Sequence, residues 1–173
     1  MRFVVFAVLL CLPPCAWPER AEVQAAFTPG DNIASMIVER IRAAQSSIRM
    51  QAYLFTDRRI ANALAGALKR GVRVEIVADG AQQVDGGAPH LAALRRAGAR
   101  VYLTETAGAA HNKVLIIDAD RVQSTIITGS YNYTHAANAK NAENVVIISG
   151  SPGIARRFTD NFDYHRAMAR PWP

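Results

Sequence analysis

The stretch that most constrains this chain is His111-Asn112-Lys113-Val114-Leu115-Ile116-Ile117-Asp118, answered by Gly129-Ser130-Tyr131-Asn132. It reads as a strand, a reversal, a second strand and a polar turn. Side chains alternate along a strand with period two, so His111 and Lys113 share a face, and Ser130 and Asn132 share one by the same rule. Asp118 has the opposite parity to His111. It is therefore expected to hold the fold, not to complete a catalytic triad.

Imidazole, ammonium and carboxamide together suit phosphoryl transfer. Imidazole serves as covalent nucleophile or general acid. Lysine is a compact cation for phosphate oxygens, and asparagine adds a donor where charge develops. A single histidine in a strand is usually an ordinary core or edge residue. A histidine, a lysine two on, an aspartate five further and a Gly-Ser-x-Asn turn beyond form a far more specific set.

The pattern His-x-Lys-x4-Asp followed by Gly-Ser-x-Asn resembles the signature of the phospholipase D superfamily, carried here by His111, Lys113, Asp118, Gly129, Ser130 and Asn132. Within that superfamily the chain is most similar to the small, single-motif bacterial Nuc-type endonucleases. The likeness runs from about Phe27 to Tyr164 and includes Ser47–Tyr53 and Asn141–Val146. In one respect the chain departs from the pattern. Residues 119–128 separate Asp118 from Gly129, a longer spacing than the family's usual six. An even-numbered insertion shared between two strands would turn no side chain to the other face.

The resemblance implies an α/β phospholipase D-like domain. It also implies a phosphodiesterase with a phosphohistidine intermediate, in which His111, Lys113, Asn132 and Glu143 are catalytic. Lys113, Ser130 and Asn132 would bind substrate, while Asp118 and Gly129 give structural support. In the family, the glutamate that opens the strand after the motif steadies the imidazole, and Glu143 matches it. Ser130 is open between donating to phosphate and shaping its turn.

Two-step cleavage needs a nucleophile and an acid together, and the motif supplies one histidine. His90 is expected to face solvent and His165 to pack, which leaves His135 as the intrachain rival. By resemblance, two copies form a homodimer and bring two His111 side chains into one pocket, as an isologous interface allows. No metal or other cofactor is expected, since no histidine pair has helical i, i+4 spacing and the carboxylates do not cluster.

Length and charge fit this reading. The chain has 173 residues and a net charge of +6, one domain's length with a basic balance that favours polyanions. Residues 1–25 read as a secretory signal. Arg2 precedes the apolar run Phe3–Leu12, Pro13-Pro14 break it, and Val23-Gln24-Ala25 offers a cleavage site. The run is shorter than the roughly 20 residues a spanning helix needs, so no stable membrane insertion is expected. Both cysteines, Cys11 and Cys15, fall in this leader. The domain then covers 26–173, periplasmic or secreted.

Along that domain, Asp31 is expected to cap a helix carrying Ile33, Ile37 and Ile41, and a strand follows over Ile48–Leu54. Asp57 caps a helix with Ile60, Leu64 and Leu68, closed by Gly71. Val72–Ile76 forms a strand, Pro89 opens a short helix, and Val101–Leu103 is another strand. After the motif come a short helix near Tyr133–Lys140, a strand over Glu143–Ile148 and a last helix from Ser151 with Ile154, Phe158 and Phe162. Alternating strands and helices predict a mixed, largely parallel sheet flanked by helices.

The functional expectation is a metal-independent endonuclease acting on DNA, and on RNA as a second substrate, with little sequence preference. Three other readings stay open: phospholipid head-group hydrolysis, a non-catalytic nucleic-acid-binding domain, and a nuclease domain serving a larger assembly.

Overall fold

A computed structural model describes residues 20–83, 88–105 and 110–172. In order, the elements are β1 (Glu22–Thr28), α1 (Ile33–Ala43), β2 (Ser47–Ala52), α2 (Arg58–Lys69), β3 (Arg73–Asp79), a 3-10 turn (Ala81–Gln83), α3 (Ala88–Arg96), β4 (Arg100–Thr104), β5 (Lys113–Ile117), β6 (Thr125–Gly129), α4 (His135–Ala139), β7 (Glu143–Ser149), α5 (Pro152–Ala167) and β8 (Arg170–Pro171). The strands form one sheet in the order β1-β7-β6-β5-β2-β3-β4-β8.

The sheet is mixed, but its parallel part is smaller than expected. Only β2–β3 and β3–β4 run parallel. The motif hairpin β5–β6, its junction with β2, and the strands β7, β1 and β8 are antiparallel. Two-residue β8 and the whole of β1 lie outside the strands read from the sequence. β1 buries only Ala26 and Thr28, too little apolar alternation to announce a strand. It also overlaps the expected leader, most of which lies outside the described residues. A cut after Ala25 would fall inside β1 and leave Ala26–Thr28 paired with β7.

One face of the sheet is packed by α1, α2 and α3 around Ile33, Ile37, Ile41, Ile48, Met50, Ile60, Leu64, Ile76, Leu91 and Leu115. The other face carries Val77, Val114, Ile116 and Ile126 beneath Ala155 and Phe162 of α5. The apolar stripes of α1 and α2 fall where the periodicity put them. The cap of α1 is corrected: Asn32, immediately before the first helical residue, accepts from Ser35 N at 3.2 Å. Asp31 sits one position too early and instead accepts from Phe27 N. Asp57 caps α2 as expected, and Gly71 follows that helix at φ 85°, a conformation open to glycine at little cost.

Asp118 ends β5 at φ 51°, which aspartate tolerates better than most residues. Its buried carboxylate accepts from Gln45 N, Ser46 N, Ser47 N and the Ser46 hydroxyl at 2.7–3.2 Å. Its own N–H donates to Ser47 O at 2.8 Å. The loop between α1 and β2 is thus tied to β5 at the end opposite His111, which is the fold-holding role that parity predicts. The long spacing is absorbed here too. The strands stop at Ile117 and Thr125, so the extra residues lie in the turn, far from Asn132.

Burial alone would raise the Asp118 pKa. The N–H groups of Ser47, Ser46 and Gln45 and the Ser46 hydroxyl outweigh it and hold the carboxyl below 3.8. A lowered carboxylate pKa stabilises the fold above the unfolded value, and that stability is lost as pH falls through the folded value. Asp118→Ala should cost about 2–4 kcal/mol in urea unfolding at neutral pH, because it orphans several buried donors. The gap from wild type should shrink in acid below about pH 4. A gap that is constant across that range would refute the charge-dependent part of this account.

Candidate active site

The site lies at the carboxyl ends of the parallel strands β2 and β3, where open α/β sheets place their ligands. β5 runs antiparallel to β2, so its first residue, Lys113, pairs with the last residue of β2, Ala52. His111 is the second residue before β5. Its approach is fixed by Asp79 at the end of β3, whose carboxylate accepts from Ala110 N at 2.7 Å and from Gln82 N at 3.1 Å. Asp79 is absent from the site residues expected from the sequence. A carboxylate at that end of a parallel strand was the available signal.

The imidazole and ammonium meet, as their shared parity requires. Lys113 Nζ lies 3.0 Å from His111 Nδ1 and donates to His111 O at 2.7 Å. Tyr53, just past β2, completes the cluster. Its ring is 4.4 Å from the imidazole, centroid to centroid, and Lys113 Nζ stands 4.8 Å over the same ring. An ammonium over an aromatic face is favoured electrostatically. The sequence pattern marks Tyr53 only as a strand residue, and the pairing of β2 with β5 is what brings it here. Lys113 is 6% exposed. Burial lowers its pKa from 10.5, and the charge of Glu143 opposes that in part. While Lys113 remains an ammonium, Nδ1 is an acceptor and the imidazole proton resides on Nε2.

The Gly129–Asn132 turn is clamped to the end of β2. Tyr133 N donates to Leu54 O, and Tyr133 O accepts from Thr56 N and Asp57 N, at 2.9–3.2 Å. Tyr131 and Tyr133 are buried beneath it, so the flanking aromatics pack and do not face a substrate. Burial raises both phenol pKa values. Gly129 is required by closeness, since a Cβ there would collide with Asn144 O and Val145 Cα. Asn132 Oδ1 is buried without a partner. An unpaired buried acceptor costs about 1–3 kcal/mol, and a phosphate, itself an acceptor, would not satisfy it; only the Asn132 Nδ2 could donate to one.

Ser130 takes the turn-shaping role, one of the two left open, and Glu143 departs from expectation. Ser130 Oγ donates to Glu143 Oε2 at 2.5 Å and accepts from Asn144 N at 3.1 Å, which shapes the turn. The other Glu143 oxygen accepts from Asn141 Nδ2 at 2.9 Å. Among the described residues, the Glu143 carboxylate therefore does not hold His111 in the single subunit. Lys113 occupies Nδ1, and Ser130 and Asn141 occupy Glu143.

The remaining histidines are also rearranged. His90 does not stand free: its Nε2 is 3.2 Å from Thr56 O, and its ring packs 6.0 Å from Phe55. His135 is exposed at the start of α4. His165, expected only to pack, instead lines a cavity of about 380 Å³ that His111 also borders. A groove of about 480 Å³ between α1 and α2 holds Arg42, Arg59 and Arg70. Arg59 is committed there to Asp57, and Arg70 to the carbonyls of Ile41 and Ala44.

This arrangement can be set beside known proteins. The family described as "Cardiolipin synthase, PLD-like domain" matches residues 37–166. A protein of Rickettsia conorii named "Phospholipase D" is 43% identical over 143 residues, 83% of this chain and 68% of that protein. The "Mitochondrial cardiolipin hydrolase" of Danio rerio is 31% identical over 150 residues, covering 86% of this chain and 60% of its own length. Among solved structures, "a phospholipase D family member, Nuc from Salmonella typhimurium" superposes with a TM-score of 0.82 at 32% identity, over 88% of this chain and 99% of that one. With the His111–Lys113 pair at the head of β5 and the Gly129–Asn132 turn clamped beside it, the chain belongs to the phospholipase D superfamily of phosphodiester hydrolases and has the Nuc-type fold.

Proposed function

We propose that this protein is a metal-independent nuclease whose active site is shared by two copies of the chain and which cleaves DNA, and RNA as a second substrate, inside the strand. The observation that carries the reading is the solitary His111–Lys113 pair, half of what the reaction needs. The basic charge of +6 and the Nuc-type fold support a nucleic acid as the substrate.

The chemistry runs in two steps. The Nε2 lone pair of one His111 attacks phosphorus, the P–O bond to the leaving nucleotide breaks, and the second imidazole gives its proton to that oxygen. Water then attacks phosphorus, loses its proton to the second imidazole and releases the first. The two imidazoles need opposite states at Nε2. The acid is an imidazolium and the nucleophile carries a free lone pair on Nε2, so in both roles Nδ1 is protonated and Lys113 must leave Nδ1 for the phosphate oxygens as substrate binds. The two copies are equivalent, so either can take either role, and two Lys113 ammonium groups offset the phosphate charge.

The surface offers a place for the second copy. α5 lies over β2, β3, β5 and β6. Beyond it the same sheet face continues through Val146 and Ile148 of β7 to Ala25 and Phe27 of β1, and Phe27 is 58% exposed. Ile148 packs partly against the cluster beneath α5, and beyond it Ala25 and Phe27 stand exposed. A self-complementary apolar patch beside a half-site fits an isologous dimer.

A second reading is phospholipid head-group hydrolysis. It is favoured by the names of the Rickettsia and Danio relatives and by the exposure of Tyr164 (61%) and Met168 (56%) on and just after the end of α5 that carries His165. Export is proposed on the apolar run after Arg2, and mass spectrometry of extracytoplasmic protein should find a chain without that run.

Two experiments test the main reading. Purified protein should nick and linearise plasmid DNA in excess EDTA, and His111→Ala should lose at least about 1,000-fold of that activity. Cleavage abolished by EDTA would defeat the chemistry. Cleavage of phospholipid vesicles with no action on DNA would select the second reading. For the dimer, light scattering should give twice the chain mass. Phe27→Glu should give a folded monomer with activity lowered about 100-fold or more, the loss expected on removing an acid–base partner. A fully active monomer would rule out the shared site.

A further inference from the structure

A row of cross-strand neighbours crosses the α5 face of the sheet: Thr128, Val114, Gln51, Val77 and Tyr102. Gln51 stands at its centre between two buried valines and is itself only 4% exposed. Above it, α5 presents Asn161 and His165, one turn apart on one face. Gln51 Nε2 donates to Asn161 Oδ1 at 3.3 Å, while Gln51 Oε1 is buried with no partner. These groups line the cavity of about 380 Å³ together with Val77, Ala110, His111 and Asn112.

A leucine at this position would fill the row without stranding an acceptor. The carboxamide instead leaves an oxygen in want of an N–H or O–H donor, in a cavity that shares His111 with the reaction site. A group held here would lie next to a phosphate bound at His111. Gln51 Oε1 accepts, and Asn161 Nδ2 and the Asn112 carboxamide can donate. Such a combination matches a Watson–Crick edge that carries an amino group beside an unprotonated ring nitrogen, which adenine and cytosine have and guanine, uracil and thymine lack.

We propose that this cavity is a base subsite, taking an adenine or cytosine next to the scissile phosphodiester, with Gln51 Oε1 accepting the exocyclic N–H. The proposal rests on the nuclease reading above and adds to it a preference at one nucleotide, over otherwise phosphate-directed binding. A base in this cavity has left its stack, so single strands or locally opened duplexes are the better substrates.

The test uses calorimetric binding to the purified protein, so that it does not depend on turnover. The probes are the 3′- and 5′-monophosphates of adenosine, cytidine and uridine, ribose 5-phosphate and glycerol 3-phosphate. An adenosine or cytidine monophosphate should bind about tenfold or more tightly than ribose 5-phosphate, the gain expected of one good base-edge pairing. The uridine compounds should gain less. In Gln51→Leu the ratio of adenosine monophosphate to ribose 5-phosphate affinity should fall to near one. Asn161→Ala, on the exposed side of α5, should lower the same ratio and guards against misfolding of the core variant. Thermal melts report on the fold of both.

Equal binding of nucleotides and ribose 5-phosphate by wild type would overturn the proposal, as would a ratio unchanged in both variants. Tight, Gln51-dependent binding of glycerol 3-phosphate instead would overturn it in favour of a lipid head-group site. Oligonucleotide digestion run alongside separates the two readings. Base-dependent binding without cleavage would refute the nuclease and leave the subsite standing, whereas cleavage without base-dependent binding would do the reverse.

Discussion

A slip of one residue between β5 and β2 would undo both ends of this molecule at once. The register that pairs Lys113 with Ala52 also pairs Ile117 with Ile48, and so sets Asp118 against the N–H groups of Gln45, Ser46 and Ser47. Because side chains alternate, a slip would also carry Leu115 and Ile117 out of the helix-covered core. Five residues of strand thus transmit one constraint from a structural carboxylate to the Lys113 ammonium. Asp118 belongs to the motif without touching the chemistry. It fixes the register that makes Lys113 meet His111.

Much of this was legible in the sequence because it is local or periodic. The stripes of α1 and α2, the cap at Asp57, the motif hairpin and the parity of His111, Lys113 and Asp118 all follow from spacings of two or of three and four. What escaped depends on partners far away in the chain. β1 is a strand because β7 offers it an edge. Tyr53 enters the site because β2 pairs with a strand some sixty residues on. Asp79 matters because the chain returns past it just before His111. The misplacement of His165 has the same origin, since its neighbour Phe162 is buried while His165 turns toward the cavity. The excess of antiparallel pairings could not be read either, because strand direction is set by how connections fold back and not by the strand's own composition.

The single subunit is well finished on one side of the sheet and unfinished on the other. Three helices cover the face that holds Ile48, Met50 and Ile76, whereas on the other face Phe27 of β1 stands exposed beyond α5. The His111–Lys113 cluster likewise holds one imidazole, where the two-step cleavage proposed above uses two. One event, association about a two-fold axis, would remedy both. An apolar patch alone has many explanations, but beside a half-complete catalytic set it has a specific one.

The commitments of the charged groups decide how such a site can receive an anion. Lys113 is buried, yet its ammonium contacts are neutral: an imidazole nitrogen, a backbone carbonyl and an aromatic face. Glu143 lies near enough to raise the Lys113 pKa, but its two oxygens are engaged by Ser130 and Asn141. Had Glu143 closed an ion pair with Lys113, a phosphate would have had to break it at the cost of a desolvated carboxylate. Held apart, the pair leaves a positive field at the mouth of the site with little protein charge to displace. Desolvation then favours the phosphate, because each oxygen that approaches Lys113 restores a stabilisation that burial took away.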